Sequence, residues 1–435
     1  MKALGQSCKP HEAEEGSLTP KMSYKSEETH KAVQATLDGV TSNAETGVAG
    51  LVFAAINKDG DLITANASGN RGLNTKEPMD LETTFWIASC TKMIATIAVM
   101  QLVEQGKLDL DDHKQLYKLC PELEKVKVLT DDGKLEDKEA EITLRMLLSH
   151  TAGFGYEFFN PKLRDYGRPI GFDVFSGDPA EVLKMPLVNQ PGSRWEYGIN
   201  IDWAGIALER QTGMTLNEYM QQNIFEPLGV KDTNMFPTKE MKSNLASMHQ
   251  RWPGSQKAAE RDHVYRAPLV AESKEQQSRI LNSGGAGLFS RPTEYIKVLA
   301  VLLNDGTCPK TKKKILKAET VKQMFENQIT QMPDFGRRGI PDAKPEHTNP
   351  LGDLYPQGEV PQGWCLSAML TIEPGVTGRG KNTAFWAGIA NLFWWVDRKK
   401  GIAGMIASQV MPFGDPNVMG AWFGAEGAVY GHLGV

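Results

Sequence analysis

The distribution of apolar and polar positions predicts a helix and a β-hairpin near the start of the chain. After Ser26, acidic residues occupy the first turn, and apolar residues recur at helical spacing over 32–40. Two strand-like runs follow at 48–56 and 62–67, and the turn over 57–60 between them is typical of a hairpin. A helix followed by a hairpin indicates a helical layer packed on a sheet.

The remaining pattern places strands at both ends of the chain and helices in its middle. Aromatic and β-branched runs at 382–389, 392–396 and 402–410 predict strands, whereas 203–208, 216–224 and 295–303 predict helices. We therefore expect an α/β lobe formed by 26–107 and 283–435, with a mainly helical lobe, 108–282, inserted into it. The cleft between the lobes is the expected site. Residues 1–25 are polar with two prolines, which predicts a flexible N-terminal arm.

One helix stands out because it is apolar nearly all round. Residues 93–103 include only Thr96 and Gln101 as polar members, so this helix should be buried, and it is too short to cross a bilayer. Ser89 and Lys92 stand three apart at its head, a spacing that puts their Cβ atoms roughly 5–6 Å apart on one helix face. Burial lowers the pKa of a lysine, which would make Lys92 available as a general base near pH 7.

Each chemical motif also has a purely structural interpretation. Ser-x-x-Lys is expected about twice by chance in a chain of this length, and Ser89 could simply cap a helix with a solvated lysine after it. Tyr197 could be an ordinary buried tyrosine, and Trp386-Ala-Gly an ordinary strand. The aromatic cluster at 154–159 is more typical of core packing, although a loop placed after a glycine could also form the wall of a binding cleft.

Composition excludes several classes of function. The 435 residues are 40% hydrophobic and 23% charged, with a formal net charge of −5 and scattered basic residues, so no nucleic-acid-binding surface is indicated. No stretch of about 18 apolar residues occurs, so no membrane span is predicted. Five scattered cysteines without a Cys-x-x-Cys pair favour a reducing, cytoplasmic location. No His-Glu-x-x-His or Cys/His cluster predicts a metal site, and no cofactor is expected.

Six blocks in a fixed order carry a family resemblance. They are Ile87-Ala-Ser-Cys-Thr-Lys, Gly106-Lys-Leu-Asp-Leu-Asp, Ile142-Thr-Leu-Arg-Met-Leu-Leu-Ser-His-Thr-Ala-Gly, Tyr197-Gly-Ile-Asn-Ile-Asp-Trp-Ala-Gly, Gly284-Gly-Ala-Gly-Leu-Phe-Ser and Trp386-Ala-Gly-Ile-Ala-Asn-Leu-Phe-Trp-Trp-Val-Asp. From about residue 27 to 430, the chain resembles the class C β-lactamase and family VIII serine esterase superfamily, most closely its fungal acyltransferase (transesterase) branch. The resemblance implies a β-lactamase/transpeptidase-like α/β fold, with an antiparallel sheet flanked by helices.

The resemblance also implies catalytic roles. Ser89 would be the acylated nucleophile, Lys92 its base, and Tyr197 the group that relays the proton to and from the reacting oxygens. The backbone N–H groups of Ser89 and Ile389 would form the oxyanion hole.

Two departures from the β-lactamase pattern bear on the substrate. The family's Tyr-x-Asn is here Tyr-Gly-Ile-Asn, so Asn200 lies one place late, and its Lys-Thr-Gly is here Trp386-Ala-Gly, which removes a cation that could meet a carboxylate. Both changes favour a bulky, largely uncharged acyl substrate over an antibiotic. The expected substrate-binding residues are Phe154, Tyr156, Phe158, Asn200, Trp386, Ala387, Gly388 and Trp394.

Three functions remain in competition at this stage. The first is acyl transfer from a thioester or ester donor, carried by an acyl carrier protein or coenzyme A, to an alcohol of a secondary metabolite. The second is a carboxylesterase or lactonase acting on a bulky natural-product ester through the same Ser89 chemistry. The third is a catalytically silent binding protein, which the joint presence of Ser89, Lys92 and Tyr197 disfavours.

Overall fold

A large antiparallel sheet forms one part of the computed structural model, which describes residues 26–43, 47–352 and 359–433. The arm predicted for residues 1–25 lies outside the described residues. In the described chain the sheet has seven strands in the order β2-β1-β13-β12-β11-β10-β9. The strands are β1 (Gly50–Asn57), β2 (Leu62–Gly69), β3 (Phe85–Trp86), β4 (Val128–Leu129), β5 (Leu135–Glu136), β6 (Met248–Gln250), β7 (Ala259–Arg261), β8 (Phe289–Ser290), β9 (Gly363–Trp364), β10 (Met369–Thr371), β11 (Thr383–Gly388), β12 (Leu392–Asp397), β13 (Ile402–Ala407) and β14 (Val410–Met411).

Strands from both ends of the chain assemble this sheet. The hairpin β1–β2 pairs Ala54 with Ala65, and β1 also pairs antiparallel with β13, where Ala54 lies opposite Met405. Within the described ranges, the strands between α2 and α14 join only smaller sheets, such as β14-β6-β7. This arrangement agrees with a sheet built from the two ends of the chain, whereas the division into two lobes stays a prediction.

Helices cover the sheet and fill the middle of the chain. They are α1 (Glu27–Thr41), α2 (Thr91–Glu104), α3 (His113–Leu119), α4 (Glu122–Lys125), α5 (Leu144–Leu148), α6 (Pro161–Tyr166), α7 (Pro179–Leu183), α8 (Asn200–Thr212), α9 (Leu216–Met220), α10 (Glu226–Leu228), α11 (Lys239–Ser243), α12 (Ala267–Val270), α13 (Lys274–Gln277), α14 (Pro292–Leu303), α15 (Ala318–Met324) and α16 (Pro416–Leu433). In the described residues, no helix is long and apolar enough to span a membrane.

The two faces of the sheet pack against different helices. Phe393 on β12 stacks on Trp422 of α16, with ring centroids 4.2 Å apart. Its neighbour Trp394 instead contacts Tyr295 of α14, with centroids 6.4 Å apart. Because successive side chains of a strand point to opposite faces, α16 and α14 cover opposite sides of the sheet. The helix α16 was not predicted, since its apolar residues show little helical periodicity.

The predicted buried helix is confirmed as α2. Every residue from Thr91 to Leu102 is buried, and the polar Gln101 side chain donates to the carbonyl oxygens of Asn223 and Ile315. Gly106 follows with φ +69°, the left-handed conformation expected of a helix stop. Ser89 does not lie inside α2 but in a 3₁₀ turn, Ala88–Cys90, directly ahead of it.

Tight packing within the sheet gives a stability prediction. A Cβ atom added at Gly404 would overlap the buried ring of Trp395 on the neighbouring strand β12. We expect Gly404→Ala to lower the free energy of unfolding by about 1–3 kcal/mol, because the ring has no space to move into. Urea unfolding followed by tryptophan fluorescence measures this change.

The matched control is Gly420→Ala, at an exposed position of α16 where an added Cβ meets no atom within 4 Å. Alanine is favoured over glycine in a helix by about 0.5–1 kcal/mol, so this variant should be slightly more stable than the wild type. Equal effects of the two substitutions would contradict the proposed packing constraint at Gly404.

Candidate active site

The candidate nucleophile, Ser89, sits on a turn between β3 and α2. The residue before it, Ala88, has φ +44°, a conformation that L-residues rarely adopt. The end of β11 packs directly on this turn, because a Cβ added at Gly388 would lie 2.7 Å from the carbonyl oxygen of Ile87. Strained backbone of this kind persists only where the surroundings hold it, and it is common at active sites. The sheet therefore fixes the position of Ser89.

Lys92 uses all three donors of its ammonium group inside the protein. Its Nζ donates to Ser89 Oγ at 3.1 Å, to the Tyr156 hydroxyl at 3.0 Å and to the Gly285 carbonyl oxygen at 2.9 Å. The side chain is fully buried. Burial lowers the pKa of Lys92 to about 7, against an opposing effect of the Asp202 carboxylate. A substantial fraction of Lys92 is therefore neutral at neutral pH and able to accept a proton.

Tyr197 completes the group around Ser89. Its ring centroid lies 4.7 Å from Lys92 Nζ, and its hydroxyl oxygen accepts a hydrogen bond of 2.8 Å from Trp386 Nε1. Burial raises the pKa of Tyr197, although hydrogen bonds with the Ser89 side chain and with Trp386 lower it in part. The tyrosine is therefore a neutral phenol at neutral pH, able to donate a proton as well as to pass one on. The structure brings Ser89, Lys92 and Tyr197 together.

The predicted oxyanion-hole residues meet at the same cavity. Ile389 directly follows the last residue of β11, Gly388, and both border the cavity together with Ser89. The packing of Gly388 on Ile87 holds the end of this strand beside the serine turn. Ser89 and Ile389 are therefore carried by elements in direct contact, and the oxyanion-hole role of their N–H groups stays a prediction.

The cavity in front of Ser89 is almost entirely apolar. It encloses about 640 Å³ of space, part of it open to solvent, and among the described residues no charged side chain lines it. Aromatic rings form one wall, where the Trp195 and Phe335 centroids lie 4.8 Å apart. The fully buried Trp364 packs behind this wall, with its centroid 4.6 Å from that of Trp386. The lining residues are Ser89, Phe158, Phe159, Trp195, Tyr197, Phe335, Gly336, Ile340, Leu351, Gly352, Met369, Trp386, Ala387, Gly388, Ile389 and Phe413.

The expected substrate-binding residues divide into two groups. Phe158, Trp386, Ala387 and Gly388 line the cavity. Tyr156 lies beside them, stacked on Phe158 with centroids 4.7 Å apart, but its hydroxyl contacts Lys92. Its position therefore indicates a part in holding the lysine.

Besides Tyr156, three more of the expected residues do not line the cavity, which corrects their assignment as substrate contacts. Phe154 is fully buried and stacks on Trp203, with centroids 6.1 Å apart. Trp394, also fully buried, packs on Tyr295 of α14. Sequence periodicity cannot distinguish an aromatic residue that packs in the core from one that faces a cleft, because both occupy buried positions.

Asn200, the third of these residues, supports the site from behind. It begins α8 as a fully buried residue, with its Nδ2 2.9 Å from His150 Nδ1 and 3.2 Å from the Phe154 carbonyl oxygen. The His150 ring in turn lies 4.7 Å from the ring of Tyr197. Tyr197 and Asn200 are separated by one more residue than in the Tyr-x-Asn motif, so Asn200 lies in α8. There its amide contacts His150 and orients this ring against the tyrosine.

Several residues at or near the site were not predicted from the sequence. Asp202 is a buried carboxylate near Lys92, and a signal for it existed, since an acidic residue stands in an otherwise apolar stretch of the Tyr197 block. Trp195, Phe335 and Trp364 had no comparable signal. They come from loops or a very short strand, and only the fold places them together.

The site joins a serine, a lysine and a tyrosine at the head of a buried helix, beside an antiparallel sheet. This arrangement defines the class of serine enzymes that form an acyl-enzyme. The chain belongs to the Beta-lactamase family, whose model matches residues 32–428. It is 33% identical over 389 residues to a lovastatin esterase of Penicillium rubens, covering 84% of this chain and 90% of that protein. It is 32% identical over 387 residues to a monacolin J acid methylbutanoyltransferase of Aspergillus terreus, covering 85% and 88%.

Solved structures show the same fold. The unliganded simvastatin synthase LovD from Aspergillus terreus, as its selenomethionyl derivative, superposes with a TM-score of 0.76 at 29% identity, covering 93% of this chain and 98% of that one. A second neighbour, EstCE1, is described as a hydrolase with promiscuous acyltransferase activity and has a TM-score of 0.68 at 23% identity. Both acyltransferases and ester hydrolases therefore stand among the similar proteins, and the predicted fold and family are confirmed.

The lowered pKa of Lys92 gives a prediction about pH. A base must be neutral to act, so acylation of Ser89 should rise with pH through a single ionisation near pH 7 and level off above it. The rate of labelling by a fluorophosphonate probe, followed by intact mass between pH 5 and 9, measures the profile. A rate that still rises about tenfold per pH unit up to pH 9, as for a lysine of ordinary pKa near 10.4, would contradict this role for Lys92.

The contacts among Ser89, Lys92 and Tyr197 give a second prediction. Residues that handle one proton together have non-additive effects, so Lys92→Ala and Tyr197→Phe should each remove most of the activity. The double variant should be little worse than either single variant. Burst kinetics with an activated ester measure all three, and losses that simply multiply would argue for two independent roles.

Proposed function

We propose that the protein is a serine-dependent acyltransferase that moves an acyl group from a thioester or ester donor to an alcohol of a secondary metabolite, through an acyl-Ser89 intermediate. The observation that carries the proposal is the contact of Lys92 Nζ with Ser89 Oγ at 3.1 Å, with the lysine fully buried. A hydroxyl beside a base of matched pKa can become nucleophilic at neutral pH.

In the first half-reaction, neutral Lys92 accepts the proton of Ser89 while Ser89 Oγ attacks the donor carbonyl carbon. The N–H groups of Ser89 and Ile389 stabilise the negative oxygen that forms. As the tetrahedral intermediate collapses, the bond to the leaving thiol or alcohol breaks. Tyr197 relays a proton to that leaving group and is reprotonated by Lys92, which is neutral again. The acyl group then remains as an ester on Ser89.

The second half-reaction runs these steps in reverse with a new alcohol. Tyr197 and Lys92 take the proton of the acceptor hydroxyl, its oxygen attacks the acyl-Ser89 carbonyl, and Ser89 leaves with the proton. If water enters in place of the alcohol, the same steps hydrolyse the ester. The esterase or lactonase alternative therefore uses the same residues, and the lovastatin esterase among the relatives favours keeping it as the second candidate.

Transfer is favoured by the character of the cavity. Water is present at about 55 M, so an alcohol near 1 mM must be preferred by roughly 5 × 10⁴, or about 6–7 kcal/mol of transition-state discrimination. A wall of aromatic rings such as Trp195, Phe335 and Trp386 holds a hydrophobic acceptor beside Ser89 and offers few partners to water. Positioning can supply this margin, because effective molarities of about 10⁵ M or more are known for well-oriented groups.

The same wall argues against a β-lactam substrate. Trp386 takes the place of the lysine in Lys-Thr-Gly, and among the residues described no cation lines the cavity to meet a carboxylate. An uncharged acyl group carried as a thioester fits better, and either an acyl carrier protein or coenzyme A would deliver it. We place the reaction in the cytoplasm, in keeping with four free, buried cysteines in the described chain.

The decisive experiment measures how the acyl-enzyme partitions between alcohol and water. The enzyme is acylated with a model thioester, and its decay is followed by intact mass with and without a polyketide alcohol. We expect slow decay in buffer, fast decay with the alcohol, and accumulation of the acylated alcohol. Fast decay in buffer with no acylated alcohol from any acceptor would replace transfer by the esterase function.

The control variant is Ser89→Ala, which removes the hydroxyl that the thioester should acylate. It should show no mass increase in the same experiment, while Thr91 and Cys90 remain unchanged beside it. An acyl adduct that persists on this variant would show that another residue is the nucleophile.

A further inference from the structure

A buried carboxylate lies behind the catalytic lysine without touching it. Asp202, in the first turn of α8, is only 4% exposed. Within the described residues, no salt bridge joins it to Lys92, whose donors are taken by Ser89, Tyr156 and Gly285. We propose that Asp202 is a positioning residue, which sets the charge state of Lys92 and places it through the turn Ser283-Gly-Gly285. The inference rests on the proposed acyl transfer through Ser89.

The turn connects the carboxylate to the lysine through a short chain of hydrogen bonds. Asp202 Oδ1 accepts from Ser283 Oγ at 2.6 Å and from the Gly285 backbone N–H at 3.0 Å. The carbonyl oxygen of the same Gly285 accepts from Lys92 Nζ at 2.9 Å. Ser283 Oγ also accepts from the backbone N–H of Ala286, 2.9 Å away, which closes the turn. Asp202 therefore holds the Gly285 carbonyl oxygen in place, and this oxygen in turn positions the Lys92 ammonium group.

Glycines allow the turn to approach α8 this closely. A Cβ at Gly285 would lie 2.5 Å from Asp202 Oδ2, and one at Gly284 would lie 2.6 Å from the carbonyl oxygen of Ile201. Neither contact is compatible with a side chain at these positions. The two glycines thus have a physical explanation, since any larger residue would push the turn away from the carboxylate and move the Lys92 acceptor.

Asp202 is also the main source of negative charge near the lysine. Burial lowers the pKa of Lys92, and Asp202 is the largest effect that raises it. Burial raises the pKa of the Asp202 carboxyl itself, but Lys92, Ser283 and Gly285 act to keep it charged. The carboxylate thus holds the proton affinity of Lys92 above the value that burial alone would give.

The other titratable groups around Lys92 are neutral at neutral pH. Burial raises the pKa values of Tyr156, Tyr197 and Cys90, so all three stay protonated. Burial, together with the Lys92 charge, lowers the pKa of His150, which stays neutral. Asp202 is therefore the group whose charge can tune the lysine, and a tuned lysine can both take the Ser89 proton and give it back.

The test is Asp202→Asn, which keeps an oxygen acceptor for Ser283 and Gly285 but removes the charge. Because the carboxylate raises the pKa of Lys92, its removal should move the acidic limb of the labelling profile to lower pH, by about one unit. The profile is measured with a fluorophosphonate probe and intact mass. The matched control is Ser283→Ala, which removes a hydrogen bond but keeps the charge and should leave the limb in place.

Each outcome has a definite meaning. The proposal is supported if the acidic limb of the labelling profile shifts to lower pH in Asp202→Asn but not in Ser283→Ala. A limb that stays in place in Asp202→Asn, or that moves up, overturns it, even if labelling is slower. If Asp202→Asn does not fold, Gly285→Ala replaces it, because its Cβ pushes the turn away from the carboxylate and moves the Lys92 acceptor, and both changes should lower the limb. Wild-type enzyme that is not labelled on Ser89 at any pH would overturn the proposed function, and this inference with it.

Discussion

The active site is built around one buried ammonium group. Lys92 is withdrawn from water on the central helix, and desolvation favours its neutral form. Three acceptors and one carboxylate compensate for the lost water, and each comes from a different part of the chain. Ser89 lies ahead of α2, Tyr156 in the loop after α5, Gly285 in the turn before β8, and Asp202 on α8. The fold can be understood as the arrangement that brings these groups to one lysine.

This arrangement costs stability. The folded-state pKa of Lys92, about 7, lies below its ordinary value of 10.5, so between these values the unfolded chain binds more protons. The unfavourable contribution is fully present below pH 7 and is relieved as pH rises toward 10.5. A base with a matched pKa is thus obtained at the expense of folding free energy. The strained backbone at Ala88, with φ +44°, is a second feature of the active site that lowers the free energy of unfolding.

Unlike the buried lysine, which lowers stability, the aromatic wall contributes both stability and substrate selectivity. Trp386 packs against Trp364 and Tyr197 and also donates a hydrogen bond to the Tyr197 hydroxyl. One side chain thus restricts the tyrosine, excludes a cation from the strand end and shapes the cavity for an uncharged acyl group. Trp-Ala-Gly at the end of β11 therefore lines the cavity with an aromatic ring where Lys-Thr-Gly would supply a cation.

Elements whose pattern is local could be predicted from the sequence: α1, the β1–β2 hairpin, the buried helix α2, and the Ser89–Lys92 spacing. It also indicated Tyr197 and Trp386, because they stand in recognisable blocks. Contacts seen in the fold were needed to show that Asn200 supports His150, that Phe154 and Trp394 pack in the core, and that Asp202 stands behind Lys92. The physical reason is that burial is visible in a sequence, whereas the partner of a buried side chain is set by contacts between segments far apart in the chain.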